Sequence, residues 1–375
     1  MSEPGVSAGG VLRFGMLGAA PVSGGVLFAP LRKRLLQNVA AVTAVASRDP
    51  SRAHTLLRRQ RSPSTRVVSN YSLLLADANV ECVYIPLVNG LHFEWTMKAL
   101  EAGKHVLVEK PMALNAGEAR LMTRLALARN LVLMEGMHWW YHPFRQRMQE
   151  VLSGGVGIVR NVSVTFESTR SVLSTGMPQA NSVARGGGGS SLDIGGYTLS
   201  CLAALASRGL SSGPIKVLRA QAERASQQPS VDEGMVGEVR FGSGDGPRAF
   251  FRWTYRGQRT GTTVVAHGSE GIMRANNFLI PHSGGKHGRN SITVSALDGH
   301  VKSTEHVKER RGLTTYDLQL LAFSDAVRAV GAGTSSSSEA FENTGDKVVA
   351  LAATIDAVYA QAGMTPRVGP AQISV

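Results

Sequence analysis

The chain has 375 residues and carries 40 Lys and Arg against 27 Asp and Glu, giving a net charge of +13 and a pI near 10.2. That length suits two domains, and 43% hydrophobic with 18% charged residues excludes a disordered or collagen-like chain. The two cysteines, Cys82 and Cys201, lie in apolar stretches, which excludes a disulfide scaffold or a cysteine-built metal site and leaves them as small buried thiols.

Residues 1–11 are small and Gly-rich, without a basic start and apolar run, and no segment approaches the length needed to span a bilayer. A reducing, cytoplasmic setting is the expectation. An apolar run over residues 11–17 predicts a strand, followed by a Gly/Ala turn, a helical segment through residue 36 and a β-rich run over 40–46, which together make one βαβ unit. Helices are expected around 51–60, at 92–102 and at 115–129, alternating with strands at 80–85, 105–109 and 131–134. Short, fully apolar strands separated by helices predict a parallel sheet covered on both faces.

The stretch His138-Trp139-Trp140-Tyr141-His142-Pro143 opens a different region, and the domain boundary is placed there, dividing residues 1–140 from 141–375. Beyond it, period-two runs at 159–167, 215–222, 235–241, 249–254 and 261–267 predict an open, mainly antiparallel sheet in an α+β domain. Helices are expected at 316–330 and 347–361, the last able to pack back on the first domain, with Gly/Ser-rich loops at 171–189 and 331–338. The fold class is therefore α/β: a dinucleotide-binding first domain, then an α+β substrate-binding and dimerisation domain.

After the first strand the chain reads Gly18-Ala19-Ala20-Pro21-Val22-Ser23. Against the dinucleotide fingerprint G-x-G-x-x-G/A, Gly18 fits the first glycine, with Ala20 and Ser23 at the second and third. The chemistry holds if Ala20 is small enough for a pyrophosphate to approach and the next helix offers free N–H groups to it. A bare strand-to-helix turn is the alternative.

The second strand ends Ala46-Ser47-Arg48, where an NAD enzyme tends to place a carboxylate for the ribose hydroxyls. A hydroxyl followed by a guanidinium suits a 2′-phosphate instead, so NADP(H) is expected over NAD(H), with Arg52 assisting. Six arginines (Arg48, Arg52, Arg58, Arg59, Arg61, Arg66) face one acid, Asp49, in this stretch. Most of the six read as a solvated basic helix.

Downstream, Tyr84-Ile85-Pro86-Leu87-Val88-Asn89-Gly90-Leu91-His92 and Ala102-Gly103-Lys104-His105-Val106-Leu107-Val108-Glu109-Lys110-Pro111 resemble the glucose-fructose oxidoreductase/inositol dehydrogenase (Gfo/Idh/MocA) family. The likeness extends through Glu135 to Pro143 and through Gly186 to Tyr197, and Tyr197 in place of the usual His resembles the dimeric dihydrodiol dehydrogenase and aldose dehydrogenase branch. The resemblance implies Lys110, Asp193 and Tyr197 as the catalytic group. It also implies Pro86, Leu87, Asn89, His92 and Glu109 beside the cofactor, His138, Tyr141 and His142 around the substrate, a cis Lys110-Pro111 peptide and a homodimer formed through the open sheet. Trp140 departs from the Arg of many relatives, as does the loop before Gly186, which leaves the pocket shape and the substrate open.

Oxidising an alcohol requires a base for the hydroxyl proton while hydride leaves, and the reverse requires an acid. A tyrosine titrates near about 10 unless an ammonium such as that of Lys110 favours its phenolate. If Asp193 and Tyr197 share a helix, their spacing puts them on one face, with Asp193 orienting the lysine or the substrate. An N-cap role for Asp193, a satisfied buried Tyr197 and core packing for Trp139 and Trp140 are the structural alternatives. No metal spacing is present. The expected reaction is hydride transfer between NADP(H) and a small vicinal diol, aldose or related hydroxy or carbonyl compound. A cofactor-responsive regulator without turnover is the alternative, and neither nucleic acid nor membrane is an expected partner.

Overall fold

In a computed structural model of the chain, residues 10–169, 187–206, 215–242, 246–281, 289–309, 311–333 and 345–368 are described. The first apolar run is β1 (Leu12–Leu17), buried along nearly its whole length, and it pairs in parallel with β2 (Ala40–Ala46). The sheet continues through β3 (Arg66–Val68), β4 (Cys82–Ile85), β5 (His105–Val108) and β6 (Leu133–Glu135). Its order is β3-β2-β1-β4-β5-β6 with every pairing parallel, the Rossmann arrangement, whose strand order reverses beside β1 and opens a crevice at the strands' carboxyl ends.

The helix expected through residue 36 is shorter and broken. A π-helical turn, Gly24–Phe28, passes into the three-residue α1 (Ala29–Leu31), and turns follow. Two glycines weaken its start, and Pro30 lacks the N–H that an α-helix would send to the Val26 carbonyl. The other helices follow their signals: α2 (Pro50–Gln60) begins on Asp49, whose carboxylate accepts from the Ser51 N–H at 2.9 Å. The unexpected α3 (Tyr71–Ala76) begins on Asn70, whose Oδ1 accepts from the Leu73 N–H at 2.8 Å. Both α4 (His92–Glu101) and α5 (Ala116–Ala128) lie where the sequence puts them.

A second unanticipated helix, α6 (Pro143–Gly154), starts with proline at its first position and His142 as its cap. β7 (Val159–Glu167) follows, then α7 (Gly196–Leu205), almost wholly buried. The eight-stranded second sheet adds β8 (Ile215–Ala225), β9 (Gln228–Phe241), β10 (Arg248–Thr254), β11 (Gly261–Gly268), β12 (Ile272–Asn276), β13 (Ser291–Ser295) and β14 (Val301–Glu305). Its order is β14-β13-β12-β11-β7-β10-β9-β8, antiparallel except where β7 meets β10. Phe251 and Trp253 on β10 stack at 5.0 Å between ring centroids in its core.

Two last helices, α8 (Thr315–Gly331) and α9 (Asp346–Gln361), complete the chain. The compact units do not meet at a single cut after residue 140. The first comprises Met1–Ala113, Gly117–His138 and Tyr316–Val348, and the second Leu114–Ala116, Trp139–Thr315 and Val349–Val375. The reason is visible inside the first unit, where Phe323 of α8 packs on Phe14 of β1 (5.5 Å between centroids) and Lys33 pairs with the buried Asp317. Of the expected loops, residues 171–186 and 334–338 lie outside the described residues.

Candidate active site

In the first unit the glycine motif forms the turn after β1. Gly18 has φ +96°, a conformation that favours glycine, and a Cβ there would lie 2.9 Å from Leu87 Cδ2. Its N–H donates to the Ala46 carbonyl at 2.7 Å, which ties the turn to the end of β2. Ala19 and Ala20 are half-buried, Pro21 and Val22 are exposed, and Ser23, in the third position, is fully buried, as close helix-to-sheet packing requires.

Immediately after Ala46, Ser47 is buried and its Oγ accepts from the Asp49 N–H at 3.3 Å, while Arg48 and Arg52 are exposed. Between this pair and Gly18 stands a residue the sequence reading did not single out, Tyr71. Its hydroxyl would lie 3.8 Å from a Cβ on Gly18. Burial raises its phenol pKa, against the opposing charges of Arg48 and Arg52 and a hydrogen bond from Arg48. Trp95 meets the Tyr71 ring edge-on at 4.8 Å. A positive-φ glycine, a small neighbour and two exposed guanidiniums around a hydroxyl fit a dinucleotide with a 2′-phosphate.

At the carboxyl ends of β4 and β5 lie Pro86, Leu87, Asn89, Glu109 and Lys110, all buried or half-buried. The Lys110-Pro111 peptide is cis. Tyr84 donates to Glu109 Oε1 at 2.8 Å; burial raises the Glu109 pKa, against this bond and the Lys110 charge. Tyr316, at the start of α8, meets the His138 ring at a tilt of 38° with 4.1 Å between centroids, and burial with the Glu109 charge pushes its phenol well above the ordinary range. The His92 ring is fully buried, with Nδ1 2.7 Å from the Pro111 carbonyl and Nε2 2.9 Å from that of Leu87. As a neutral ring it can donate to only one of these carbonyls and lies against the other, wedged between the loop after β4 and the loop after β5.

In the second unit Asp193 lies in a π-helical turn, Ser191–Gly195, that leads into α7, and Tyr197 is the second residue of that helix. The π-helical turn runs directly into α7, so four residues along it make about one full turn and Asp193 and Tyr197 lie on the same side. Asp193 Oδ2 accepts from the Tyr255 hydroxyl at 2.5 Å. Burial and the Asp193 charge hold that phenol far above its usual pKa, so Tyr255 is a standing donor. The Tyr197 side chain is buried beside Phe166, with ring centroids 6.2 Å apart.

Beneath the turn the fully buried Asp232 accepts on one oxygen from Ser190 Oγ (2.6 Å), Ser191 N–H (2.6 Å) and Ser191 Oγ (2.8 Å). Its other oxygen accepts from Tyr359 at 3.1 Å and faces Arg367 at 3.5 Å. Gly189, φ +121°, permits this approach, since a Cβ there would lie 2.3 Å from Asp232 Oδ1. Gly186 lies outside the described residues.

The aromatic–histidine run forms a helical turn, His138–Tyr141. Trp139 takes the packing role, fully buried against Trp140 and Phe278 with its Nε1 donating to Ser200 Oγ at 3.0 Å. His142 is buried and its Nδ1 accepts from the Phe144 N–H at 3.1 Å, while Tyr141 is half-buried. Among the described residues no group of three His, Cys, Asp or Glu is placed to hold a metal, and no helix is long and apolar enough to cross a membrane.

Residues 12–137 match the model of an oxidoreductase family with an NAD-binding Rossmann fold. A dTDP-3,4-didehydro-2,6-dideoxy-alpha-D-glucose 3-reductase of Saccharopolyspora spinosa is 36% identical over 192 residues, 51% of this chain and 54% of that protein. An NADP(+) D-xylose 1-dehydrogenase of Haloferax volcanii is 31% identical over 233 residues, 62% of this chain and 67% of its own length. The chain thus spans little more than half of the first of these relatives. Among solved structures, a 3-ketoreductase from Actinomadura kijaniata in complex with NADP and TDP-benzene superposes with a TM-score of 0.78 at 24% identity, covering 94% of this chain and 98% of that one. It shares the fold.

Proposed function

The chain belongs to the Gfo/Idh/MocA oxidoreductase family, and on that basis we propose that it is an NADP(H)-dependent oxidoreductase transferring hydride between the nicotinamide and a vicinal diol, an aldose or a related hydroxy or carbonyl compound. The observation that carries the cofactor choice is the Gly18 N–H bonded to the Ala46 carbonyl at 2.7 Å, which sets the glycine turn against the strand end that presents Ser47 and Arg48. No carboxylate stands at Ser47 or Arg48 to repel a 2′-phosphate. Arg48, Arg52 and the Tyr71 hydroxyl would hold that phosphate, and Gly18, Ala19, Ala20, Pro21 and Val22 would line the pyrophosphate. Pro86, Leu87, Asn89, Glu109 and Lys110 would flank the nicotinamide end.

Bound NADP(H) would supply or accept the hydride. In the oxidative direction the Tyr197 phenolate takes the proton of the alcohol, and in the reductive direction the Tyr197 hydroxyl so formed returns a proton to the carbonyl oxygen. Lys110 polarises that oxygen and favours the phenolate. Asp193, fixed by Tyr255, orients the group that works beside it. His138, Tyr141 and His142 border the substrate. The NADP(+) xylose dehydrogenase relative supports an aldose, and the deoxyglucose reductase relative supports a sugar ketone.

The test is a tryptophan-fluorescence titration with NADPH and NADH in parallel, for which Trp95, against Tyr71, is a local reporter. NADPH is expected to bind more tightly by about tenfold or more, and Arg48→Ala to erase the difference. Equal affinities, or no binding, would overturn the cofactor assignment. With a turned-over substrate in hand, Tyr197→Phe and Lys110→Met are expected to lower kcat by roughly 100- to 10,000-fold; undiminished turnover refutes the catalytic group.

A further inference from the structure

The buried groups beneath the Asp193 turn do not end at β9. Helix α9 closes on Gly363, whose φ is +63°, with the Gly363 N–H donating to the Ala360 carbonyl at 3.1 Å and the Met364 N–H to that of Tyr359 at 2.9 Å. This glycine-ended cap turns the chain back on the second unit, where Met364 is buried. The segment that follows is tied at two points. Arg224 of β8 donates to the Gly363 carbonyl at 3.0 Å, and Asn115 Nδ2 donates to the Arg367 carbonyl at 2.9 Å.

So placed, Arg367 keeps only 12% of its side chain exposed, and its Nη2 stands 3.5 Å from Asp232 Oδ1. Its Cζ lies 5.2 Å from the centre of the Tyr359 ring. A Cβ on Gly189 would lie 3.5 Å from the same Nη2, so the cation sits against the chain that enters the Asp193 turn. Its Nε–H finds no partner among the described residues. What this arginine supplies is therefore charge more than a set of hydrogen bonds, and it supplies it to a carboxylate with no exposed surface.

Asp232 needs that charge. The Tyr255 phenol that donates to Asp193 lies in the fields of both Asp193 and Asp232, so two carboxylates bear on one buried region. Like charges there disfavour each other's ionisation, and a cation offsets the repulsion. With the guanidinium removed, Asp232 would take up a proton or draw back. Either change weakens its hold on the Ser191 N–H and on the Ser190 and Ser191 hydroxyls, the bonds that fix the start of the turn.

We propose that Arg367 is a positioning residue of the active site: acting through Asp232, it holds the Ser191–Gly195 turn in the shape that presents Asp193. The inference rests on the reading that Asp193 belongs to the catalytic group, and it adds to that group's support a residue from the last stretch of the chain.

The experiment is hydrogen–deuterium exchange of the full chain, read on peptides that contain the Ser191 N–H, which donates to Asp232 directly. In Arg367→Gln that amide is expected to exchange about tenfold faster or more, while peptides from β1 and β12 keep their wild-type rates and NADPH affinity is unchanged. Arg367→Lys restores the charge and should bring the exchange most of the way back, whereas a packing role alone would leave the two variants alike. With D-xylose and NADP+ as the probe, kcat of Arg367→Gln should fall by about tenfold with the KM for NADP+ unchanged, and recover in Arg367→Lys. Unchanged exchange at Ser191, equal exchange in the two variants, faster exchange throughout the second unit, or a loosened turn with undiminished kcat would overturn the proposal. Absence of wild-type turnover of D-xylose would count against the aldose reading and leave the exchange result to decide the role of Arg367. Undiminished turnover by Tyr197→Phe, with the turn still loosened in Arg367→Gln, would sink the catalytic group and leave the Arg367 link standing.

Discussion

At His92 both ring nitrogens face carbonyl oxygens, one after β4 and one after the cis peptide that follows Lys110. Burial is the main force holding its pKa below the usual histidine value, with the Lys110 ammonium acting in the same direction and the two carbonyls opposing. The unfolded chain takes up a proton near about pH 6.5 that the folded chain refuses. The contribution of His92 to stability is therefore complete above that pH and declines as pH falls through the window beneath it, by at most about 1.4 kcal/mol per pH unit. Urea unfolding of wild type and His92→Gln at a neutral and a mildly acidic pH should show a shallower acid decline in the variant; identical slopes would mean the ring does not stay neutral. The motif around Lys110 made that residue and its neighbours legible in the sequence. Tyr255 was not, because it meets Asp193 across 62 residues of chain, and no local pattern announces such a pairing. His92 was legible as a residue of the motif, but only the fold shows where its two nitrogens point.

The π-helical turn carrying Asp193 owes its position to an element that supplies no group to the proposed chemistry. Asp232, on β9, gathers two seryl hydroxyls, an N–H and a tyrosyl hydroxyl beneath it. Asp232→Ala would strand these donors in the interior, and a loss of roughly 3–5 kcal/mol in urea unfolding is expected. A loss below about 1 kcal/mol would show that water or rearrangement replaces the carboxylate. Elements with a clear period were readable: β2 and β7 occupy the residues their apolar patterns mark. The far edge of the second sheet was not, because β14 reads Val-Lys-Ser-Thr-Glu with four of five residues exposed and has no alternation to detect. α3, six residues long, is too short for a helical period to show, and α6 follows directly on the aromatic run.

Over the whole molecule the net charge of +13 finds part of its use on the first unit, where α2 and its flanks carry arginines around Ser47. Such a field speeds the encounter with a polyanionic cofactor, and salt screens it, with a Debye length near about 10 Å at 0.1 M and about 3 Å at 1 M. Stopped-flow NADPH binding should slow by about tenfold between low and high salt, and a salt-independent rate would remove any steering role. The division into two units was only partly legible: the switch from helix-separated to alternating strands marks where the second begins, but nothing local shows that a later helix belongs to the first. That membership sets a timetable on the ribosome. Phe323, which packs on Phe14, emerges about 15–60 seconds after it at ordinary elongation rates. The cofactor-binding sheet must therefore wait with part of its core uncovered while the second unit is being made, so the nascent chain, rather than the finished protein, is where a chaperone would find exposed apolar surface.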